Sequence, residues 1–174
     1  MLKTLVLFSL VAVACAAYKP AGKGEKTKWL SLTDAQENMK KLKKPVLIDL
    51  YTDWCGWCKV MDKKTYSNKK VSEYINEKFY AVKVNAESIQ PITWNGRTYA
   101  FNRQYKTNDF AMFLTNGQLQ YPTTVFLPSD GSGPQAIPGY LEPKDFELLL
   151  KYFGEGEFGK TPFEKYRKNF KGSW

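Results

Sequence analysis

A chain of 174 residues is long enough for one domain with a sizeable core and short for two. With 43% apolar and 16% aromatic residues and no internal repeat, it is neither a disordered nor a repeat protein over most of its length. The net charge of +9 comes from 26 basic against 17 acidic residues, with Lys-rich stretches at 40–44, 63–70 and 160–171. Such runs usually mark solvated helix faces, so no nucleic-acid partner is expected.

At the amino terminus, Lys3 precedes an apolar run from Leu5 to Ala14, and small residues follow through Ala17. This pattern predicts an export signal over residues 1–17, too short to span a bilayer. Two outcomes stay open. Cleavage after Ala17 leaves Tyr18 first; alternatively Ala12-Val13-Ala14-Cys15 is a lipoprotein signal and Cys15 carries a lipid anchor. Ala12 stands where such signals usually have leucine, which favours cleavage. The expected location is periplasmic or secreted, anchored in the second case. Residues 18–28, rich in Lys and Gly, read as a flexible tether before a domain at 29–157.

Along that domain, Thr33-Asp34 offers an N-cap, and Ala35, Met39 and Leu42 predict a helix over 34–43, stopped by Pro45. Val46 to Tyr51 reads as a strand buried on both faces, leading directly into Cys55. Helical character begins at the cysteines, and Val71, Tyr74, Ile75 and Phe79 form the apolar stripe of a second helix from about Asn68. Tyr80 to Val84 is the next strand. Strand, helix and strand in this order imply a parallel pair, hence an α/β class. Trp94-Asn95-Gly96-Arg97 predicts a tight hairpin, and Asn108 caps a short helix that Asn116-Gly117 ends. Thr123 to Leu127 and Gln135 to Gly139 form an antiparallel pair, and Pro143 opens a helix whose Phe146, Leu149, Leu150 and Phe153 share one face. Thr161-Pro162-Phe163-Glu164 reads as a capping box with Pro162 at the first helical position, predicting a peripheral basic tail helix within 158–174.

Once Cys15 leaves with the signal, only Cys55 and Cys58 remain, so there is no disulfide framework, and a two-residue spacer closes too short a loop to stabilise the fold much. Cys55-Gly56-Trp57-Cys58 sits where a buried strand hands over to a helix. Unpaired N–H groups at a helix start favour the thiolate of Cys55, and a second thiol one turn later can resolve a mixed disulfide. Two cysteines and no histidine make no closed zinc site, so no metal and no cofactor are expected.

The segment Asp49-Leu50-Tyr51-Thr52-Asp53-Trp54-Cys55-Gly56-Trp57-Cys58-Lys59, with Tyr121-Pro122-Thr123 and Gly139 later in the chain, resembles the thioredoxin superfamily over residues 30–153. The resemblance implies a thioredoxin fold, a central mixed sheet flanked by helices. It implies that Cys55 and Cys58 are the redox pair, that Asp49 is a buried acid that moves the proton of Cys58, and that Pro122 is a cis proline shaping the substrate groove. Lys83 stands where a basic partner of Asp49 is expected. Trp54, Gly56, Trp57, Tyr121 and Thr123 are the expected substrate contacts. Asp49 is also an acid in an otherwise apolar strand, a costly place for a carboxylate without a role.

The Gly-Trp spacer departs from the Gly-Pro of typical thioredoxins and lacks the histidine of the family's oxidases and isomerases. Between Val84 and Pro122 the chain exceeds a minimal family member by about twenty residues, more than an ordinary connection needs. This insert, about 86–120, holds the hairpin and the short helix before the cis-proline loop, and is expected either to border the groove or to be decoration. The resemblance to exported bacterial relatives implies a monomeric thiol-disulfide oxidoreductase that reduces protein disulfides and draws electrons from a membrane-side donor. A disulfide-forming oxidase or isomerase, or a non-catalytic binding module of the same fold, is the alternative.

Overall fold

The computed structural model describes residues 25–174. The expected signal, Cys15 and most of the expected tether lie outside the described residues.

The elements run β1 (Trp29–Leu30), α1 (Leu32–Lys41), β2 (Val46–Tyr51), α2 (Gly56–Met61), a π-helical turn (Asp62–Tyr66), α3 (Lys69–Lys78) and β3 (Tyr80–Asn85). There follow β4 (Ile92–Trp94), β5 (Arg97–Tyr99), β6 (Phe101–Asn102), β7 (Thr107–Asn108) and α4 (Asp109–Thr115). The chain closes with β8 (Thr123–Leu127), β9 (Gln135–Pro138), α5 (Pro143–Gly154) and α6 (Phe163–Asn169). Five strands form a mixed sheet in the order β1-β3-β2-β8-β9, with β1, β3 and β2 parallel and β8 and β9 antiparallel to their neighbours. β2 lies in the middle, which is why its residues from Val46 to Leu50 are all buried.

Side-chain alternation along β2 divides the core. Val46, Ile48 and Leu50 pack with Ala35 of α1 and with Phe110, Ala111 and Leu114 of α4. Leu47 packs on the opposite face with Val71 and Ile75 of α3 and Phe146 and Leu150 of α5. Phe110, Phe126 and Phe146 are fully buried, each contributing roughly 1.5–3 kcal/mol of transfer free energy. Because Asp49 follows Ile48, it is turned to the same face as Leu47, beneath α2 and the π-helical turn.

The extra length between β3 and β8 is built into the core rather than added to its surface. Asn95 and Gly96 take φ of 48° and 76°, as the hairpin turn requires, and the Asn95 N–H donates to Gln36 Oε1 of α1 at 2.9 Å. Trp94 and Tyr99 join Phe110 and Leu114 in the first core cluster. Asn108 caps α4 and its side-chain amide also donates to the Ser88 and Gln90 carbonyls, while Asn116 ends the helix at φ 50°.

Four local expectations need correction. The N-cap of α1 is Ser31, not Thr33-Asp34, because the Ser31 hydroxyl accepts the Asp34 N–H at 3.0 Å and donates to its carboxylate. The capping box at 161–164 does not form: Pro162 is itself the N-cap of α6, and the Thr161 hydroxyl donates to Glu157 Oε2 at 2.7 Å. The tail is not peripheral, since Ser173 and Trp174 bind the buried Glu147 of α5. The expected tether stops short of residue 28, for Asn76 of α3 holds the Lys26 carbonyl and the Lys28 N–H, and Thr27 is buried with its hydroxyl on the Tyr66 carbonyl.

Candidate active site

The site is assembled where β2 ends. The Cys55 N–H donates to the Thr52 carbonyl at 3.1 Å, closing the turn that follows the strand, and Cys55 becomes the N-cap of α2. Its Sγ accepts the Cys58 N–H at 3.1 Å and is bonded to Cys58 Sγ at 2.03 Å. Both cysteines are almost enclosed, at 4% and 5% exposure, so a partner must be drawn close to reach them. Gly56, the first residue of α2, is exposed and has open space where a Cβ would stand.

Beneath the turn, Asp49 is paired across the sheet with Lys83 of β3 on one side and Thr124 of β8 on the other. Directly opposed residues share a face, and Lys83 Nζ donates to Asp49 Oδ2 at 2.7 Å. The same ammonium donates to Asp62 Oδ1 in the π-helical turn, and it lies over the rings of Trp29, Tyr51 and Tyr66, 4.9 to 5.8 Å from their centroids. Asp49 Oδ1 and the Thr52 hydroxyl are buried without a hydrogen-bond partner among the described residues.

Burial pushes the Asp49 carboxyl up to about 6; Lys83 opposes the rise through its charge and hydrogen bond, and the nearby Asp62 adds to it. A buried carboxyl with one free oxygen can thus take up and release a proton near neutrality. Lys83 is lowered by burial, but Asp49 and Asp62 more than reverse this and hold its ammonium charged. The Tyr66 phenol, buried and facing Asp49, is pushed well above its usual range and stays neutral.

Around the dithiol, aromatic rings remain in solvent. Trp54 is 67% exposed and Trp57 62% exposed, although tryptophan is highly buried on average. Trp54 stands edge-to-face with Tyr121, ring centroids 5.9 Å apart, and Trp57 packs on Tyr140 at 5.4 Å. The Tyr121-Pro122 peptide bond is cis. Pro122 is held by its carbonyl, which accepts the Gly139 N–H at 2.8 Å, and the Thr123 hydroxyl turns back to the Gln120 carbonyl at 2.6 Å. Thr123 is therefore buried and hydrogen-bonded inside its own loop rather than presented outward. Gly139 lies just beyond β9 at φ 98°, a conformation that favours glycine.

Three residues at this site went unread in the sequence. Asp62, seven positions after Cys55, had a signal: two helical turns bring it back to the side of the chain that Cys55 occupies. Tyr140 and Glu87, whose Oε1 accepts the Trp54 indole N–H, had none, being brought to the site by loops. Among the described residues no group of three or more His, Cys, Asp or Glu could hold a metal, and no helix is long and apolar enough to cross a membrane.

The model of the thioredoxin-like domain matches residues 32–154. The chain is 25% identical over 125 residues to the thiol:disulfide interchange protein DsbD of Pectobacterium atrosepticum, covering 71% of this chain and 19% of that protein. It is 32% identical over 119 residues to an uncharacterised protein of Caenorhabditis elegans, covering 68% of this chain and 14% of that one. The match thus spans less than a fifth of the length of these relatives. Among solved structures, a thioredoxin-fold protein from Helicobacter pylori superposes with a TM-score of 0.56 at 21% identity, covering 72% of this chain and 79% of that one. The fold implied by the motifs is the fold found.

Proposed function

The chain belongs to the thioredoxin-like domain family, and we propose that it works as a thiol-disulfide oxidoreductase through Cys55 and Cys58. The observation that carries this reading is a closely spaced cysteine pair at the start of α2, built over a buried acid whose proton is exchangeable near neutrality.

In the reducing direction, the Cys55 thiolate attacks one sulfur of a partner disulfide. A Cys55–partner bond forms and the partner's other sulfur leaves as a thiolate. The Cys58 thiol then loses its proton toward Asp49 and attacks Cys55 Sγ, forming the Cys55–Cys58 disulfide and expelling the second partner sulfur. Two electrons pass from the dithiol to the partner; the proton taken up by Asp49 and the one that Cys55 gave to water on ionising finish on the partner's two thiols. Pro122 and Gly56 shape the approach to Cys55, while Trp54, Trp57 and Tyr121 contact the partner. Thr123 supports the loop from within.

We favour reduction of protein disulfides over oxidation. An oxidising pair draws its strength from a stabilised thiolate. Here the spacer holds no histidine to supply a cation, and the buried ionisable group on the strand that leads into the pair is the Asp49 carboxyl. If the amino-terminal segment directs export, the oxidising surroundings require a membrane-side electron donor to restore the dithiol after each turnover.

The test uses insulin as a generic protein disulfide with the reduced full chain. The wild type reduces it, Cys58→Ser accumulates a mixed disulfide that a reductant releases, and Cys55→Ser forms none. Equal behaviour of Cys55→Ser and the wild type contradicts the reading.

A further inference from the structure

The segment after β3 is tied to the turn that carries Trp54 by a chain of hydrogen bonds. The Ala86 N–H donates to the Tyr51 carbonyl at 2.8 Å, and the Asn85 side-chain amide donates to Asp53 Oδ2 at 3.1 Å. The Asn85 side-chain carbonyl accepts the Glu87 N–H at 2.9 Å, and Glu87 Oε1 accepts the Trp54 indole N–H at 2.9 Å. From the far end of the insert, the Thr107 hydroxyl and the Asn108 N–H both reach the Ala86 carbonyl, at 2.8 and 2.7 Å. The backbone on either side of Glu87 is therefore held, and its carboxylate has a defined place from which to hold the indole.

An exposed tryptophan has several rotamers open to it, and the indole hydrogen bond selects one. In that rotamer Trp54 stands edge-on to Tyr121 and forms one aromatic wall beside Cys55; Trp57 with Tyr140 forms another. Any disulfide that reacts must come to the nearly enclosed Cys55 past these rings. Their faces offer apolar area at small entropy cost provided they are already ordered. Asp53 and Glu87 add negative charge on the Trp54 side, which disfavours an acidic partner.

Resting on the oxidoreductase reading above, we infer that Glu87 is a positioning residue for substrate choice: it fixes Trp54 so that the paired walls select protein segments with an apolar residue beside the cysteine to be attacked. The insert thereby acts on specificity through one side chain rather than by covering the dithiol.

The experiment compares the full-length wild type, Glu87→Ala and Glu87→Gln on three disulfides: a short peptide with Leu beside its disulfide cysteine, the same peptide with the uncharged polar Ser there, and neutral hydroxyethyl disulfide. The wild type prefers the Leu peptide. In Glu87→Ala that preference falls about fivefold, the size of one lost aromatic contact, through KM rather than kcat. Glu87→Gln keeps an acceptor oxygen and restores the preference, and the Trp54 indole N–H resonance moves in the alanine variant and returns in the glutamine one. Unchanged peptide preference in Glu87→Ala overturns the inference and leaves the oxidoreductase reading standing. An equal loss on hydroxyethyl disulfide also overturns it, since Glu87 then serves the dithiol and not the partner. If the wild type reduces none of the three, the oxidoreductase reading fails and the inference with it.

Discussion

Asp49 on β2 and Glu147 on α5 are both buried acids, and both reach a lysine, yet they sit in opposite electrostatic states. Burial pushes the Glu147 carboxyl up, but Lys151, the Ser173 hydroxyl and the backbone N–H groups of Ser173 and Trp174 more than offset it and hold the group below the usual carboxylate range. Asp49 has Lys83 on one oxygen and, among the described residues, nothing on the other, so burial wins and the group rises to about 6. A fully bonded acid works as a strut that pins residues 173 and 174 to α5. A half-bonded acid can gain and lose a proton.

The largest effect is expected at the strut. Glu147→Ala removes the acceptor that Lys151 and the Ser173 and Trp174 donors share and lowers stability by about 3 kcal/mol in urea unfolding. Turnover per folded molecule is expected to match the wild type, because Glu147 lies away from the dithiol. Asp49→Asn should behave in the reverse manner, slowing the release of the mixed disulfide about a hundredfold in single-turnover measurements, as loss of a positioned acid-base group does.

Stability against pH sharpens the comparison, and the two acids have opposite signs. The folded pKa of Asp49, about 6, lies above its ordinary 3.8, so between these values the native state binds more protons than the unfolded one. Its contribution to stability therefore falls as pH rises through that window and stays low above it. Asp49→Asn removes this burden, so at pH 8 the variant is more stable than the wild type by up to about 3 kcal/mol, and the difference closes toward pH 4. Parallel stability curves for the two proteins contradict the assignment. For Glu147 the folded pKa is depressed, so its contribution is full above the ordinary carboxylate range and is lost as pH falls through the folded value.

The smallest effect belongs to Asp62. Asp62→Asn removes a negative charge and leaves Lys83 entirely to Asp49, so the Asp49 pKa falls and the window of declining stability moves to lower pH. A shift to higher pH contradicts this arrangement.

Most of the fold was legible because its signals are local. The apolar run Val46–Tyr51, the Asn95-Gly96 turn, the Asn108 and Asn116 caps and the stripe of α5 all act within a few residues, and each stands where the sequence places it. β1 was not legible, because two residues carry no periodicity and Trp29–Leu30 become a strand only by pairing with Ala81 and Val82. The box at Thr161 failed because Thr161 still belongs to the preceding turn, its N–H on the Glu157 carbonyl, and α6 starts one residue too late, with Pro162 as its N-cap. At the site, Cys55, Cys58 and Asp49 were readable from spacing and from an acid in an apolar strand. Glu87, Tyr140 and the Glu147–Ser173 contact depend on which loops and termini meet in space, and no local pattern encodes that. Thr123 shows the converse: a motif position can be legible while its side chain turns inward.

The most direct measurement equilibrates the purified full chain in glutathione buffers of graded ratio, with the Cys55–Cys58 state read by thiol labelling. The account predicts one reversible two-electron couple, moving tenfold in dithiol-to-disulfide ratio for about 30 mV, with a potential on the reducing side nearer thioredoxin's about −270 mV than −120 mV. Absence of a reversible couple contradicts the oxidoreductase assignment, and a potential near −120 mV contradicts its reducing direction.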